Sequence, residues 1–561
     1  METIEIIIEN YQTRIEVPRG ILLSDLATQY SDICSFPVLG ALVNNQVESL
    51  QLRIYEPCCI RFFDITSKSG YRMYLVSLSF MLYRAVKDCF PEAKLTVEHS
   101  LITGFYCEIT FPEGEEHPDQ LEVCRQVRER MMEIQHSDLK FEHHKMLLTE
   151  AIKWIEDQNI PSTQRLLEGL GQYYIEMHTI GGMPHKLSNK LVPSTGKLTC
   201  WEFRVFEEGY IIQCPDPNQP DRLILYQETP KLFNIFKEHH RWANLLQVPT
   251  ISDLNSLILQ HKENHLIQVA EALHEKKYAQ IADDIFQHKD RVKMVLLAGP
   301  SSSGKTTSCR RLSVQLSVLG FDVHQLSLDD YFLPREETPR DENGELDFEC
   351  IEALNIPLLN DHLMRLFNGE EVALPTFDFV SGTTIYKGNT LCLNNKNGRQ
   401  PILLVEGIHA LNPKLTAQIP NEYKFKVYVS ALTQIAIDDQ NFIHSSDNRL
   451  IRRIVRDNNF RGYSATDTLS RWNSVRHGEE KHIFPFQEQA DTMFNSALLY
   501  ELAVLRPYAA PLLNKVPENR PEYAEAQRLI NFLELIEPIY SNHIPPTSIL
   551  KEFLGGSSFE Y

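Results

Sequence analysis

Paired cysteines, long apolar runs and positive charge are all scarce in this chain. Its 11 cysteines are scattered over 561 residues and include no CxxC or Cys/His spacing of the kind that binds zinc. An odd number of cysteines without a framework favours a reducing compartment, so we expect a cytoplasmic protein. No run of about 18 apolar residues occurs, which predicts no membrane-spanning helix and no membrane partner. The N-terminus lacks a basic stretch followed by an apolar one, so no secretory signal is predicted.

The charge balance restricts the partners. Lys and Arg number 55 against 75 Asp and Glu, which gives a formal net charge of −20. Proteins that bind nucleic acid depend on clustered positive charge, so this balance argues against nucleic acid as a partner but leaves a local basic pocket open. A homo-oligomer is compatible with the sequence. The length exceeds what one hydrophobic core supports, which predicts several domains.

The strongest motif present is a glycine-rich loop with the sequence GPSSSGKTT at 299–307. An apolar strand is predicted at Lys293–Ala298, and the residues after the loop are typical of a helix ended by Gly320. The free N–H groups at such a helix start bind phosphate, and glycines let the backbone approach it. The motif therefore predicts ATP as a ligand. The predicted nucleotide-binding residues are Gly299, Ser301, Ser302, Ser303, Gly304, Lys305, Thr306 and Thr307.

Acidic residues follow two further predicted strands. The run Phe321–Leu328 ends in Asp329 and Asp330, and a carboxylate there would face the ligand crevice of a parallel sheet. Asp329 is our candidate base for an acceptor hydroxyl, with Asp330 as the alternative. A second buried run ends in Glu406, which we predict either to bind Mg²⁺ directly or to orient a water on it, together with the Thr306 hydroxyl.

A basic helix is predicted after Asp447, which is a candidate N-cap residue. Four arginines recur on one face at helical spacing: Arg449, Arg452, Arg453 and Arg456. Such a stripe is either a solvated basic face or a lid that closes over phosphate, and the glycine-rich loop upstream favours the lid. Arg461 and Gly462 follow in a predicted loop.

The N-terminal half carries two resemblances. Residues 1–64 resemble a TGS domain, the ubiquitin-like module of threonyl-tRNA synthetases, some GTPases and enzymes of alarmone metabolism. Residues 65–225 resemble the second N-terminal domain of threonyl-tRNA synthetase, on segments 85–99, 104–109 and 192–197. That family edits through an HxxxH pair and a Cys-x-x-x-His. Here Gly70, Tyr74 and Gly181 replace three of these groups and only His185 remains, so no metal or hydrolytic site is expected there.

The motif order in the C-terminal half resembles the uridine kinase and phosphoribulokinase family over 291–515. The matching segments are GPSSSGKTT, SLDDYF, LDFE, PTFDF, LLVEGIHAL, RLIRRIVRDNNFRG and IFPFQEQAD. The resemblance implies that Asp329 activates the acceptor and that Thr306 and Glu406 serve Mg²⁺. It also implies that Asp347 binds sugar hydroxyls, that Arg453 binds the acceptor, and that Arg456 and Arg461 belong to a lid.

The predicted fold class is a multidomain chain of α/β and α+β parts. We expect a β-grasp TGS-like domain at 1–64, a degenerate editing-like α+β domain at 65–225 and a helical connector at 226–290. A P-loop kinase domain with a mostly parallel sheet is expected at 291–515, and a helical tail with a frayed end at 516–561. In the connector, Ser252 is a candidate N-cap for a helix running from Leu254.

Departures from the kinase family leave the acceptor open. Gly382 stands where uridine–cytidine kinases have a base-reading histidine, Tyr463 replaces a lid arginine and Arg471 replaces a base-reading glutamine. The segment at 395–398 breaks the NKxD pattern, which argues against guanine nucleotides. We therefore expect a kinase for a hydroxyl of a nucleoside, or else of a free sugar, sugar phosphate or polyol. A nucleotide-gated regulator that binds RNA or ribosomes is the alternative of another class, and the net charge opposes it.

Overall fold

The computed structural model describes most of the chain. The described residues are 2–30, 32, 34–101, 103–114, 117–186, 189–225, 228–340, 344, 346–378, 381–394, 398–433 and 435–560, without the side chains of Leu101 and Ser541. Two sequence predictions involve residues outside these ranges. They are 395–397, part of the segment compared with the guanine-reading motif, and Phe379, the last residue of PTFDF.

The chain begins with a mixed five-stranded sheet and one helix. Its elements are β1 (Thr3–Ile8), β2 (Thr13–Pro18), β3 (Ile21–Leu22), α1 (Leu23–Gln29), β4 (Gly40–Val43), β5 (Gln46–Ser49), β6 (Arg53–Ile54) and β7 (Cys59–Phe63). The strand order is β2-β1-β7-β4-β5, and β1 and β7 run parallel. Alternate residues of β1, Ile6 and Ile8, are buried against α1, as the period of two in its sequence predicts.

Three antiparallel sheets, one of which has only two strands, and five helices follow. The elements are α2 (Lys68–Cys89), β8 (Lys94–Leu101), β9 (Gly104–Thr110), α3 (Gln120–His136), β10 (Phe141–Leu147), α4 (Leu148–Glu156), α5 (Pro161–Glu168), β11 (Tyr174–Ile180), β12 (Met183–His185), β13 (Glu202–Phe206), β14 (Gly209–Gln213), β15 (Pro215–Asp216), β16 (Gln219–Leu223) and α6 (Pro230–Leu245). One sheet has the order β13-β14-β9-β8, another has the order β10-β11-β12, and the third pairs β15 with β16. The long helix α2 supplies much of the core shared by the two larger sheets.

The connector is helical, as predicted, but its N-cap prediction was wrong. The connector contains α6, α7 (Ile251–Leu259) and α8 (Glu263–Gln287). Thr250 caps α7 in a capping box with Asp253, while Ser252 lies inside the helix and is buried. Helix α8 packs on the helix after the glycine-rich loop, where Tyr278 shares a 2.9 Å hydrogen bond with Ser308.

The C-terminal half contains a five-stranded, entirely parallel sheet. The elements are β17 (Met294–Ala298), α9 (Lys305–Val318), β18 (Asp322–Ser327), α10 (Ile356–Phe367), β19 (Val372–Ala373), β20 (Thr376–Asp378), β21 (Thr383–Ile385), β22 (Thr390–Leu391), β23 (Pro401–Glu406), β24 (Lys424–Ser430), α11 (Ser445–Phe460), α12 (Ala465–His482), β25 (Thr492–Asn495) and α13 (Glu501–Leu513). The strand order is β18-β23-β17-β24-β25. All five residues of β17 are buried, as expected for a strand covered on both faces.

The last 46 residues are less helical than predicted. Among the described residues of this segment, the α-helices are α14 (Tyr523–Leu533) and α15 (Lys551–Leu554), with one short 3-10 turn at Ser541–His543. The end is not frayed, because Phe553 is fully buried and the Ser558 N–H donates to the Pro546 carbonyl at 3.0 Å.

The predicted fold class, a multidomain α/β and α+β chain with a parallel sheet after the glycine-rich loop, is confirmed. The exact domain boundaries stay a prediction. Within the described part of the chain, no helix is long and apolar enough to cross a membrane.

Candidate functional site

The glycine-rich loop joins β17 to α9 at the carboxyl edge of the parallel sheet. A Cβ on Gly299 would lie 1.9 Å from the Val429 carbonyl oxygen, so only glycine allows β17 and β24 to approach this closely. Gly304 has φ +78° and Ser302 has φ +58°, which turn the backbone into the helix start. The Lys305 ammonium donates to the Pro300 carbonyl at 3.1 Å and so lies over the loop. The motif therefore has the local geometry that the sequence predicts.

Glu406 lies at the centre of the carboxyl edge. The strand register places it beside Leu297 of β17 and Ser327 of β18. Its Oε1 atom accepts from the Ser327 hydroxyl at 3.1 Å and from the Thr306 hydroxyl at 3.4 Å. The pKa of this carboxyl is raised to about 7, first by burial and then by the negative charge of Asp329, while Lys305 lowers it.

Asp329 follows β18 and is the better placed of the two predicted base candidates. Its backbone N–H donates to the Ser327 hydroxyl at 3.3 Å, and its charge acts on Glu406, Glu349 and Arg461. Asp330 instead accepts from the Phe377 N–H at 3.3 Å and so holds the β20 backbone. Burial raises the pKa of Asp330. The geometry thus favours Asp329, whose role stays a prediction.

The carboxylate of Asp347, the predicted sugar-binding residue, accepts hydrogen bonds from the backbone of the residues that follow it. Its Oδ1 accepts from the N–H groups of Glu349 at 3.0 Å and Cys350 at 3.1 Å. The neighbouring Glu349 has a buried Oε2 atom without a hydrogen-bond partner. The pKa of Glu349 is raised to about 7, first by burial, while Arg453 and Lys305 lower it. Glu349 is therefore a second carboxyl of this segment, and it lies close enough to Arg453 and Lys305 for their charges to act on it.

The predicted stripe of four arginines on α11 divides into two groups. Arg449 and Arg452 are buried structural residues and are not part of a solvated face or a lid. Arg449 donates to Glu479 at 2.7 Å and to the Ser301 carbonyl at 3.1 Å. Arg452 is fully buried, pairs with Glu501 and donates to the Ser302 carbonyl at 3.3 Å. These two side chains fix the outer turn of the glycine-rich loop to α11.

The other group is a cluster of three arginines around one acid. Arg453, Arg456 and Arg461 lie 3.3, 2.9 and 3.9 Å from carboxylate oxygens of Asp457. Arg453 also donates to the Ser301 hydroxyl at 2.7 Å. The pKa of Arg461 is lowered to about 10, first by the charge of Arg456 and then by burial. Asp457 alone cannot neutralise three guanidinium groups, and the charges of Glu349 and Glu479 also act on Arg453.

The prediction that Asp447 is the N-cap of α11 was wrong. The helix is capped at His444, and Asp447 lies in the first helical turn. There its carboxylate is held by both guanidinium nitrogens of Arg528 at 2.8 Å and by Arg72 at 3.4 Å. Two half-buried cations from distant helices bind this carboxylate, and the local sequence does not reveal them.

The remnants of the editing motif are core residues. A Cβ on Gly70 would lie 1.9 Å from the Asp64 carbonyl oxygen. The Tyr74 hydroxyl donates to the Cys200 carbonyl at 2.9 Å, and His185 packs edge-on against Phe80 at 5.3 Å. Among the described residues no cluster of three or more His, Cys, Asp or Glu side chains could hold a metal.

The positions that depart from the kinase family also have defined neighbours. Gly382 has φ +69°, and a Cβ there would lie 2.4 Å from Cδ of Arg335. The Arg335 N–H donates to the Gly382 carbonyl at 3.0 Å. Tyr463 and Arg471 contact each other, with the guanidinium 4.6 Å from the ring centre. The space beside Gly382 is thus filled by an arginine side chain.

The oxygen donors around Glu406 suit Mg²⁺. A carboxylate and a threonine hydroxyl 3.4 Å apart are hard ligands, and Mg²⁺ typically takes only one or two protein ligands besides phosphate and water. Thr306 and Glu406 are the residues that would hold it.

Three acidic residues that interact with the glycine-rich loop were not predicted from the sequence. Glu479 accepts from the Ser301 N–H at 3.1 Å, Glu552 accepts from the Thr307 N–H at 3.1 Å, and the charge of Lys305 acts on Glu349. Glu479 and Glu552 lie about 180 and 245 residues from their partners. No local pattern marks them, although Glu349 lies within the quoted LDFE segment.

The parallel sheet, the loop between β17 and α9, and the acid at the end of the adjacent strand define an α/β protein of the P-loop class. The model of the phosphoribulokinase/uridine kinase family matches residues 294–501. A uridine kinase of Staphylococcus aureus is 30% identical over 196 residues, which are 35% of this chain and 83% of that protein. The chain belongs to the phosphoribulokinase/uridine kinase family.

The N-terminal half matches a different kind of protein. A threonine–tRNA ligase of Clostridium kluyveri is 29% identical over 184 residues, 33% of this chain, and the chain spans only 28% of that ligase.

Among solved structures, a D-glycerate 3-kinase from Cryptococcus neoformans is 13% identical to this chain, with a TM-score of 0.22. The match covers 48% of this chain and 89% of that one.

Proposed function

We propose that the protein is an ATP-dependent kinase that phosphorylates a hydroxyl group of a small ribose-bearing substrate, with a nucleoside as the first candidate. One observation carries the proposal. Glu406 accepts from the hydroxyls of Thr306 and Ser327, and the charges of Asp329 and Lys305 both act on it. A metal-binding acid, a phosphate-binding lysine and a base candidate thus converge at one sheet edge.

The proposed roles follow from this arrangement. Asp329 accepts the proton of the acceptor hydroxyl, and Lys305 binds the β- and γ-phosphates with the loop N–H groups. Arg453, Arg456 and Arg461 supply the positive charge that stabilises the transferring phosphoryl group, because Asp457 neutralises only part of their charge. Mg²⁺, when bound at Thr306 and Glu406, would offset the phosphate charge.

The acceptor would contact the segment around Asp347 and Glu349. Asp347 shapes the turn through two backbone hydrogen bonds, and Glu349 offers an oxygen that has no partner within the described protein. A buried, unsatisfied oxygen costs about 1–3 kcal/mol, which a hydroxyl of the acceptor would recover. We therefore infer that Glu349 binds an acceptor hydroxyl and that Asp347 positions it.

One observation favours the alternative acceptor, a free sugar, sugar phosphate or polyol. The Arg335 side chain lies where a histidine side chain at position 382 would project. A nucleobase edge needs matched donors and acceptors, and a guanidinium supplies donors only. An arginine there suits a hydroxyl-rich or anionic acceptor at least as well as a base.

A substrate panel with γ-labelled ATP and Mg²⁺ tests the proposal. Nucleosides, free sugars, sugar phosphates and polyols are each incubated with the full-length protein, and labelled product is counted. We expect transfer to one ribose-bearing class. Transfer only to acceptors without a base supports the alternative, and absence of transfer to every acceptor contradicts both.

Cytoplasmic location is part of the proposal. All eleven cysteines are free, which is the usual state of thiols in a reducing compartment.

A further inference from the structure

The C-terminal end of the chain packs against the glycine-rich loop. In the segment 544–555, Ile549, Leu550 and Phe553 are fully buried. The Phe553 ring lies 5.1 Å from the Arg452 guanidinium, and its carbonyl accepts from the Asn459 side chain at 3.0 Å. The segment is thereby fixed to α11, the helix that holds the outer turn of the loop.

Ile549 touches the loop itself. A Cβ on Gly304 would lie 2.5 Å from Cδ1 of Ile549, so the glycine leaves room for this side chain as well as for the turn. The loop and the segment therefore fit each other closely, and the segment forms one wall of the nucleotide site predicted from the sequence.

Glu552 places a carboxylate at the start of α9. Its Oε2 atom accepts from the Thr307 N–H at 3.1 Å and from the Thr307 hydroxyl at 2.6 Å. Thr307 lies in the first turn of α9, whose N–H groups have no partner within the helix and attract anions. The Glu552 carboxylate thus already accepts from an N–H group that, in the P-loop motif, is expected to bind a phosphate of the nucleotide.

A phosphate and this carboxylate cannot both bind Thr307. They would compete for the same N–H donor, and each carries negative charge in a region where Asp329, Glu349 and Glu406 already lie. Moving the whole segment would expose three fully buried apolar side chains, whereas moving one glutamate side chain exposes none of them.

We propose that Glu552 is an intramolecular competitor of the nucleotide, and that ATP binding displaces its carboxylate from Thr307 while Ile549 and Phe553 stay anchored. This inference rests on the proposed ATP site. Glu552 then lowers the affinity for ATP, and the C-terminal segment sets the nucleotide concentration at which the protein is loaded.

Calorimetric titration of the full-length protein with ATP and Mg²⁺ tests this. The Glu552→Gln variant keeps the size of the side chain and an amide oxygen acceptor but removes the charge. We expect it to bind ATP about three- to tenfold more tightly than the wild type, the range expected for losing one competing charge at a helix start. Glu552→Ala should bind at least as tightly as Glu552→Gln.

Glu560→Gln is the matched control, because it makes the same charge change at an exposed position of the same terminus. It should bind ATP like the wild type. Equal or weaker ATP binding by both Glu552 variants overturns the proposal. If wild type, Glu552→Gln and Lys305→Ala all fail to bind ATP, the proposed nucleotide site is wrong and the inference falls with it. If Lys305→Ala alone fails, the site stands and the Glu552 comparison decides.

Discussion

At the residue scale, two carboxylates in similar surroundings are expected to do different work. Asp329 follows the edge strand β18, and its charge acts on Glu406 and Glu349. Glu349 is half-buried, and its buried Oε2 atom has no hydrogen-bond partner among the described residues. In the proposed function the first group accepts a proton and the second binds a hydroxyl.

Replacing Asp329 with Asn should separate catalysis from nucleotide binding. We expect ATP affinity to be retained and phosphoryl transfer to fall by about 10²- to 10⁴-fold, the usual contribution of a general base. Lys305→Ala should reduce both. The measurements are an ATP titration and turnover with γ-labelled ATP and the best acceptor of the panel. Asp322→Asn, at the other end of β18, is the control. Unchanged turnover in Asp329→Asn would reassign the base.

Glu349→Gln should change stability in a pH-dependent way. The pKa of Glu349 in the folded protein is about 7 against an ordinary value of 4.5, so the folded state holds this proton more tightly than the unfolded state. The wild type therefore loses stability as the pH rises from about 4.5 to 7, and the variant is spared this loss.

We expect Glu349→Gln to unfold like the wild type near pH 4 and to be more stable by about 1–2 kcal/mol at pH 8. Urea unfolding at the two pH values measures this. Glu352→Gln, an exposed neighbour, should show no such difference. An equal effect at both pH values would mean that Glu349 ionises normally.

At the element scale, α11 holds the glycine-rich loop through buried ion pairs. Arg452 contacts the Ser302 carbonyl, the Ser496 carbonyl at 2.9 Å and Glu501, all without exposure to solvent. Because both partners of the pair are buried, each depends on the other for compensation of its charge.

Arg452→Met should destabilise the protein by about 3–5 kcal/mol, because it leaves Glu501 as a buried charge without its cation. Urea unfolding at pH 7 measures the loss. Arg471→Met removes an exposed guanidinium from the neighbouring helix α12 and should cost about 1 kcal/mol or less. Similar losses in the two variants would contradict the structural role of Arg452.

At the scale of the whole molecule, the two halves are joined by a network of charges. Arg72 of α2 pairs with Glu525 and Asp447, and Arg528 of α14 binds Asp447 with both of its guanidinium NH2 groups. Asp447 belongs to α11, so this network links the ligase-like half to the helix that fixes the loop.

Arg72→Met should lower the free energy of unfolding by about 1–3 kcal/mol, since the buried Asp447 and the half-buried Glu525 lose hydrogen bonds to a charged donor while Arg528 remains. Urea unfolding followed by circular dichroism tests this. Arg19→Met removes an exposed arginine that pairs only with the exposed Glu2 among the described side chains, and should be nearly neutral. An unchanged stability in Arg72→Met would show that the halves do not depend on this network.

The sequence by itself determined the parts that depend on local periodicity and backbone chemistry. The strands at 294–298 and 401–406, the helix after the glycine-rich loop and the positions of Gly299, Lys305 and Glu406 follow from apolar runs and from the glycines that the loop requires. Such features are encoded within about 20 residues, so one sequence suffices to predict them.

Only the tertiary structure decided which charges are structural and which face the site. Arg449 and Arg452 share a helical face with Arg453 and Arg456, yet the first two meet buried acids from α12 and α13. Glu552 reaches Thr307 across 245 residues, and Asp447 meets cations from two distant helices. The partner of a charge is chosen by packing between distant segments, and no local period in the sequence records that choice.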